Sequence, residues 1–206
     1  MIQNSNALSQ MFLVWPIFAY LIGSIPFGRL FGSLIGIDMT RFGSGNIGAT
    51  NVRRAGGNFW GGLTLVADAL KGAVPVWLAV GGATAESSST ASIIWVSATG
   101  LMAVLGHMYP IYTGFRNGGK GVATAAGVFA VLSPWTLLCS LGAFVAALMV
   151  SKKVSLGSLA AAFALPAFTG YWDIRWLPLA LLLTLLIFYR HIPNIRRLKS
   201  GNEPSL

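Results

Sequence analysis

The chain has 206 residues, of which 55% are hydrophobic and only 9% are charged. A soluble domain of this size needs more charged surface, so the composition excludes an ordinary soluble protein and indicates a chain that lies mostly within a membrane. The formal net charge of +9 would suit nucleic acid. However, the basic residues lie in short segments between apolar runs, where the positive-inside rule places them. We therefore expect membrane lipid around the protein and no nucleic-acid partner.

Seven apolar runs in the sequence are candidates to cross a bilayer, which takes about 20 residues. They cover residues 11–37, 59–82, 91–112, 122–133, 134–150, 154–171 and 176–189. The stretch 122–150 is too long for one ordinary span. Pro134 supplies a break within it, because proline removes a backbone donor and clashes with the preceding turn. With two crossings there, the basic loops on both sides of the stretch share one face of the membrane.

This count predicts an all-α, polytopic helical bundle that forms a single domain over residues 1–206. An odd number of spans puts the N-terminus outside and the C-terminus inside. The inner loops are then 38–58, 113–121, 151–153 and the tail from residue 190, which carry most of the Lys and Arg residues. The N-terminal segment, the loop around Glu86 and residues 171–175 lie outside.

Segment 43–54 combines three glycines with neutral and cationic donors. Glycine lets the backbone turn tightly and bring its N–H groups close to a ligand. Guanidinium groups pair with phosphate in a bidentate manner. A plain basic connector would leave the hydroxyl and amide side chains without a role. We expect a phosphate-binding segment with the candidate residues Gly43, Ser44, Gly45, Asn46, Thr50, Asn51, Arg53 and Arg54.

Segment 114–121 resembles the P-loop of nucleotide-binding proteins in the spacing from Gly114 to Lys120. Gly121 stands where the P-loop has its magnesium-binding hydroxyl, and an apolar span rather than a strand precedes the segment. These two differences exclude an NTPase. The lysine, the glycine amides and a helix that begins near residue 122 still suit an anion. The candidate residues are Gly118, Gly119, Lys120, Gly121 and Thr124, with His107 either contacting the ligand or packing against a neighbouring helix.

Two further groups carry charge at or within the apolar runs. Asp68 and Lys71 are three residues apart on one face of the second run, and ionisable residues inside a span usually face the protein interior. We expect them to brace the site or to contact the ligand. A basic tail usually binds anionic lipid headgroups, but that role leaves several tail residues unexplained. The additional candidates in the tail are His191, Asn194, Arg197 and Glu203.

Taken together, these segments resemble the bacterial acyl-phosphate-dependent glycerol-3-phosphate acyltransferases. The matching segments are 23–26, 43–54, 68–72, 106–124 and 191–203, in this order and over nearly the whole chain. One departure lies between Phe115 and Gly118, where this sequence has two residues and the family pattern has one.

The resemblance implies transfer of a fatty acyl group from acyl phosphate to the sn-1 hydroxyl of glycerol 3-phosphate. The products are 1-acylglycerol 3-phosphate and phosphate, the first acylation of bacterial phospholipid synthesis. The sequence contains no metal-ligand cluster, and we expect no cofactor and no metal ion. Loop charge and the resemblance together predict an inner-membrane location with a cytoplasmic site, and the acyl-phosphate donor implies functional coupling to the enzyme that makes it. By the same resemblance Ser44, Arg54, Lys120, His191 and Asn194 are catalytic, the other candidates bind substrate, and Glu203 is structural.

Two questions remain open: which group takes the proton, and whether the protein is an enzyme or a transporter. The proton of the attacking hydroxyl passes either to His191 as general base or to a substrate phosphate oxygen, with His191 and Asn194 holding the substrate. A membrane transporter of a phosphorylated solute also needs a cationic cavity. The placement of all three polar segments on one predicted face favours the enzyme.

Overall fold

The computed structural model describes residues 14–82 and 89–206, and all regular structure in these residues is helical. This confirms the predicted all-α membrane fold. The helices are α1 (residues 14–23), α2 (Phe27–Leu34), α3 (Ala49–Gly56), α4 (Asn58–Gly82), α5 (Thr90–Met108), α6 (Val122–Leu132), α7 (Pro134–Ser151), α8 (Val154–Trp172), α9 (Leu177–Arg190) and α10 (Ile192–Lys199). Single 3₁₀ turns cover Ile111–Thr113 and Ile174–Trp176.

Each of the seven predicted apolar runs contains at least one helix within its described residues. Five segments are long and apolar enough to span a membrane: Val14–Leu34, Asn58–Gly82, Thr90–Thr113, Pro134–Ser151 and Val154–Trp172. A sixth candidate combines Ile174–Arg190 with Ile192–Lys199, which are bent by 57° relative to each other. The seventh run, α6, has 11 residues and is about 16 Å long, roughly half the hydrocarbon thickness.

The predicted break lies where the sequence places it, because α6 ends at Leu132 and α7 begins at Pro134. Proline is tolerated in the first turn of a helix, where its missing N–H would have no intrahelical partner. The sides of the membrane on which the termini lie stay a prediction. The predicted outer N-terminal segment and the loop around Glu86 fall outside the described residues.

A second proline divides the first apolar run into two helices. Helix α1 ends at residue 23, and α2 begins at Phe27 directly after Pro26. Gly28 of α2 lies against the backbone oxygen of Ile47, so closely that a Cβ there would overlap it. The loop that follows α2 is thus packed back onto α2.

The described chain divides into two compact units. The first unit runs through Gly119 and includes Ala123–Val128; the second consists of Lys120–Val122 and Phe129–Leu206. The single domain of the sequence analysis stays a prediction. In the first unit, α1 and α5 approach closely at glycines: a Cβ on Gly23 would overlap the backbone of Ala103, and one on Gly106 would overlap that of Tyr20. Small residues of this kind let helices pack within a membrane.

In the second unit, helix α9 is apolar on all sides because one face is buried in the protein and the rest contacts lipid. Leu179, Leu183 and Ile187 are buried and lie four residues apart, so they form one face of the helix. The leucines between them are half exposed, as expected for a surface that contacts lipid. Thr184 also donates a hydrogen bond of 2.7 Å to the backbone oxygen of Ala162 in α8. This packing fixes the end of α9, where the chain bends at His191 into α10.

Candidate active site

The glycine-rich segment before α3 is a loop with a small core of its own. Met39, Ile47 and Val52 are 0–2% exposed and pack together. Gly43 and Gly45 adopt positive φ angles of 55° and 68°, which glycine reaches without the steric penalty of a side chain. The predicted tight turn is therefore present, and apolar contacts hold it in place.

Asn51 organises this loop from inside. Its Nδ2 group donates to the backbone oxygens of Phe42 and Asn46, both at 2.9 Å, and its Oδ1 atom accepts from the amide of Ser44 at 3.2 Å. Oδ1 of Asn46 in turn accepts from the amide of Gly48 at 2.7 Å. Both donors of Asn51 are thus used within the loop. Asn51 therefore holds the loop, and its predicted contact with substrate stays a prediction.

The other polar residues of the segment differ in exposure. Ser44 is exposed at the tip of the loop, and Arg54 is exposed in the last turn of α3. Thr50 and Arg53 are half-buried, and the side chain of Arg53 lies against Gly61 of α4. Ser44 and Arg54 are therefore the members of this segment that are most open to a ligand. Their roles in binding and catalysis stay predictions.

The predicted pair in the second apolar run forms a buried ion pair. Lys71 Nζ lies 2.8 Å from Asp68 Oδ1, and both side chains are 2–3% exposed. Lys71 also donates to the backbone oxygen of Ile25 at 2.9 Å, next to the break that Pro26 makes between α1 and α2. His107 Nδ1 lies 3.5 Å from the same Asp68 oxygen. The network thus connects α4, α5 and the α1–α2 break. This geometry suits the bracing role, and both roles expected from the sequence, bracing and ligand contact, stay predictions.

Lys71→Met tests this network. The substitution keeps the volume but leaves the Asp68 carboxylate buried without its cation, which costs about 3–5 kcal/mol. We expect a loss of that order in the free energy of unfolding, measured with denaturant in detergent micelles. The double variant with Asp68→Asn should be less destabilised than Lys71→Met alone. The exposed Lys199 supplies the control, Lys199→Met; equal stability of Lys71→Met and this control would contradict the prediction.

The glycine pair before Lys120 is packed against the end of α5. A Cβ on Gly118 would overlap the backbone oxygen of Met108, and one on Gly119 would overlap the imidazole ring of His107. The amide of Gly119 also donates to the backbone oxygen of His107 at 3.0 Å. Close packing therefore requires glycine at both positions, in addition to the predicted phosphate binding. The ring of His107 supports the loop.

The turn before the glycine pair contains Arg116 and Asn117, where the sequence departs from the family pattern. Gly114, Phe115 and Asn117 all have positive φ angles, of 64°, 63° and 56°. Such angles reverse the chain within a few residues, directly before the glycine pair. Gly121 has a φ of 85° and caps α6 at its N-terminus. Helix α6 therefore begins where the sequence predicts.

Gly119→Ala tests the packing of the loop on His107. Overpacking of this kind costs about 1–3 kcal/mol, so we expect reduced thermal stability in detergent and reduced activity. Gly62→Ala in α4 is the matched control, because a Cβ there meets open space. Combination with His107→Ala should recover part of the stability. Wild-type stability of Gly119→Ala would show that the loop is not held in this way.

Thr124 is a predicted ligand-binding residue whose position adds a specific observation. It is fully buried in α6, and among the described residues its Oγ1 atom has no hydrogen-bond partner. A Cβ on Gly72 of α4 would overlap its backbone oxygen. Buried hydroxyl groups are normally hydrogen-bonded. Thr124 can therefore bind a ligand or a water molecule.

His191 lies in the second unit, at the bend between α9 and α10, and is 2% exposed. Its Nδ1 atom lies 2.8 Å from the backbone oxygen of Ile187. A carbonyl oxygen can only accept, so Nδ1 carries the proton, and Nε2 of the neutral ring is left as an acceptor. Lys120 is close enough for its charge to act on the His191 ring. These two predicted catalytic residues, both in the second unit, therefore lie within electrostatic range of each other.

Asn194 follows on the first turns of α10 and is 4% exposed. Its Nδ2 group donates to Glu203 Oε1 at 2.6 Å, and Glu203 Oε2 accepts from Arg197 Nε at 2.7 Å. Partial burial acts to raise the pKa of Glu203, but the hydrogen bonds from Asn194 and Arg197 outweigh it and hold this pKa below its usual range. Glu203 is therefore ionised at neutral pH. It connects the tail to α10, which supports its predicted structural role.

Three contributors to these arrangements were not singled out by the sequence. The carbonyl of Ile25 accepts from Lys71, the carbonyl of Ile187 orients His191, and Gly72 allows the close approach of Thr124. Backbone carbonyls carry no residue-specific signal in a sequence. Gly72 could have been found from the sequence, because it lies in segment 68–72, which matches the family pattern.

Known proteins with similar sequences indicate the function of this site. The family model described as glycerol-3-phosphate acyltransferase matches residues 13–201. A glycerol-3-phosphate acyltransferase from Desulfotalea psychrophila is 46% identical over 197 residues, which cover 95% of this chain and 98% of the relative. One from Aquifex aeolicus is 43% identical over 199 residues, with the same two coverages. The chain belongs to the glycerol-3-phosphate acyltransferase family.

Solved structures agree with this assignment. The crystal structure of PlsY (YgiH), an integral membrane glycerol 3-phosphate acyltransferase, in its glycerol 3-phosphate form matches 95% of each chain with 41% sequence identity and a TM-score of 0.87. The lysophosphatidic acid form of PlsY matches with a TM-score of 0.85. The family resemblance inferred from the motifs is confirmed. The protein is an integral membrane acyltransferase, and a place in phospholipid biosynthesis follows from that activity.

Proposed function

We propose that this family member transfers a fatty acyl group from acyl phosphate to the sn-1 hydroxyl of glycerol 3-phosphate, giving 1-acylglycerol 3-phosphate and phosphate. The observation that carries the proposal is the acceptor Nε2 of the buried residue His191, within electrostatic range of the Lys120 cation. An acceptor beside a cation suits a substrate that combines hydroxyl groups with phosphate. The PlsY structures in glycerol 3-phosphate and lysophosphatidic acid forms support the same acceptor substrate.

The arrangement of the histidines favours direct attack of the hydroxyl on the activated acyl group. Nδ1 of His191 is bonded to a backbone carbonyl rather than to a carboxylate. His107 lies near Asp68, but its Nε2 atom packs over Gly119. Neither histidine is therefore arranged as in a serine–histidine–aspartate triad, where Nε2 faces the nucleophile. An acyl phosphate needs no covalent enzyme intermediate, because phosphate is already a good leaving group.

Each proposed catalytic residue then has a role that its chemistry suits. Lys120 stabilises the negative charge that develops on the carbonyl oxygen and on the leaving phosphate. Arg54 binds a substrate phosphate through its guanidinium group, and Ser44 orients one of the substrates. Nε2 of His191 accepts the hydrogen bond of the sn-1 hydroxyl.

The remaining substrate-binding assignments are kept as proposals, with Asp68, Lys71, His107, Asn51 and Arg197 acting through the loops and side chains that they hold. We also propose that the protein lies in the bacterial inner membrane as a single domain, with its site towards the cytoplasm. Exposed Arg54, Arg196 and Lys199 in the predicted inner segments support this orientation. Functional coupling to an acyl-phosphate-producing enzyme follows from the proposed donor.

Purified protein in detergent, supplied with acyl phosphate and glycerol 3-phosphate, tests the proposal. We expect phosphate release that depends on both substrates, and a product acylated at sn-1 by chromatographic comparison with both isomers. Acyl-CoA should not replace acyl phosphate. Absence of turnover with any acyl-chain length, together with uptake of glycerol 3-phosphate into reconstituted vesicles, would favour the transporter instead.

A further inference from the structure

The tail after α10 returns to contact α10 itself. Gly201 adopts a positive φ of 74°, and the amide of Asn202 donates to the backbone oxygen of Arg197 at 2.8 Å. This reversal brings Glu203 back against the helix. Asn194, Arg197 and Glu203 form a group that we call the tail clamp.

The chemistry of the tail clamp fixes which way the amide of Asn194 points. A carboxylate can only accept hydrogen bonds, so it selects the Nδ2 edge of the amide. Arg197 donates to the other oxygen of Glu203 and keeps the carboxylate in place. The Oδ1 atom of Asn194 is therefore directed away from Glu203.

This Oδ1 atom is buried, and among the described residues it has no hydrogen-bond partner. Buried amide oxygens are normally hydrogen-bonded, and one without a partner calls for an explanation. The residue is 4% exposed, so bulk water does not supply the partner. An acceptor held in a buried position by an ion-paired carboxylate is suited to a ligand that donates a hydrogen bond.

His191 provides a second acceptor close by. It lies three residues before Asn194, and residues three apart on a helical segment are neighbours. Its Nε2 atom is the free acceptor of the ring, as the bond of Nδ1 to Ile187 requires. Two fixed acceptors match the two adjacent hydroxyl groups of glycerol 3-phosphate.

We propose that Glu203, held by Arg197, is a positioning residue that directs Oδ1 of Asn194 at the sn-2 hydroxyl of glycerol 3-phosphate while His191 takes the sn-1 hydroxyl. This inference rests on the proposed function, because that function supplies the substrate. It goes beyond a structural role for Glu203, since it ties the carboxylate to recognition of one substrate hydroxyl.

The test compares Glu203→Gln with wild type on two acceptors, glycerol 3-phosphate and 3-hydroxypropyl phosphate, which lacks the sn-2 hydroxyl. Glutamine keeps the shape, but its amide can also donate, so it no longer dictates the orientation of Asn194. With glycerol 3-phosphate we expect kcat/KM to fall about tenfold through KM, the scale of one oriented hydrogen bond. With 3-hydroxypropyl phosphate we expect less than about a twofold change, because the hydroxyl in question is absent.

Two further variants separate positioning from folding. Asn194→Ala should remove the preference for glycerol 3-phosphate, and adding Glu203→Gln to it should cause no further loss, as expected for residues that act through one contact. Asp173→Asn is the matched control. Asp173 also accepts from an arginine, Arg175, at 2.6 and 2.8 Å, and its replacement should leave both substrates unaffected.

Equal losses of Glu203→Gln on both acceptors would overturn the inference and leave the proposed function standing. Absence of turnover of glycerol 3-phosphate by the wild-type protein would overturn the proposed function, and the inference with it. If Glu203→Gln does not fold, Arg197→Gln allows the same comparison, because it releases the carboxylate without removing it. The same selective loss with glycerol 3-phosphate is then expected, and equal losses again count against the inference.

Discussion

Lys120→Ala is expected to lower kcat by about a hundredfold or more while the protein remains folded. Preorganised charge directed at a developing negative charge usually contributes at least this much to a rate. Lys120 is half-buried, and its charge acts at the ring of His191, so its removal changes the electrostatics of the proposed site directly. Phosphate release at saturating concentrations of both substrates measures the effect.

A control is needed because a basic membrane protein also binds anionic substrates through its general charge. Lys199→Ala removes an exposed lysine from the last turn of α10, and it should leave kcat within about twofold of wild type, as surface substitutions usually do. Thermal unfolding of both variants in detergent shows whether they are folded. Near-normal turnover of folded Lys120→Ala would remove Lys120 from the catalytic residues.

His191→Gln has the second large expected effect, and it decides how the proton leaves the attacking hydroxyl. Glutamine can accept a hydrogen bond through its side-chain oxygen, but it cannot take up a proton at neutral pH. If Nε2 of His191 is the general base, kcat falls by about 10²–10⁴ even at saturating substrate. If a substrate phosphate oxygen takes the proton and His191 holds the hydroxyl, KM rises while kcat is retained. Steady-state kinetics over a range of glycerol 3-phosphate concentrations separates the two routes.

The buried position of His191 makes a stability control necessary. The substitution removes the hydrogen bond between Nδ1 and Ile187 at the bend into α10, so unfolding must be measured for the same preparation. Tyr189→Phe, at an exposed position in the last turn of α9, tests whether any change in this region affects kinetics. Unchanged kcat and KM in folded His191→Gln would exclude both roles of His191.

Features set by local sequence were predictable. Each apolar run is long enough to identify a helix, and Pro134 ends a helix because its ring and missing donor act on its own neighbours in the chain. The three-residue spacing of Asp68 and Lys71 predicts a shared helix face, and the pair forms at 2.8 Å. Order and spacing of the motifs were sufficient to identify the family. All of these depend on interactions within a few residues or on a pattern that reads along the chain.

The partners of the polar side chains were decided by the tertiary structure. Lys71 donates to Ile25, 46 residues away, and the Gly118–Gly119 pair packs against the end of α5. The sequence suggested phosphate binding for these glycines and substrate binding for Asn51. It could not show that Gly119 makes room for His107 or that Asn51 uses both amide donors inside its own loop.

The sequence and the structure contribute different information about the polar segments that first indicated phosphate chemistry. The sequence places most of the cations and amides at the ends of the apolar runs, because charged and polar side chains are costly within the lipid. The three-dimensional structure was needed to show that Nε2 of His191 and Oδ1 of Asn194 are the atoms left over by the hydrogen bonds to Ile187 and Glu203. Those orientations depend on the Ile187 carbonyl and the Glu203 carboxylate, and a hydrogen bond requires a distance and a direction that composition and spacing do not encode.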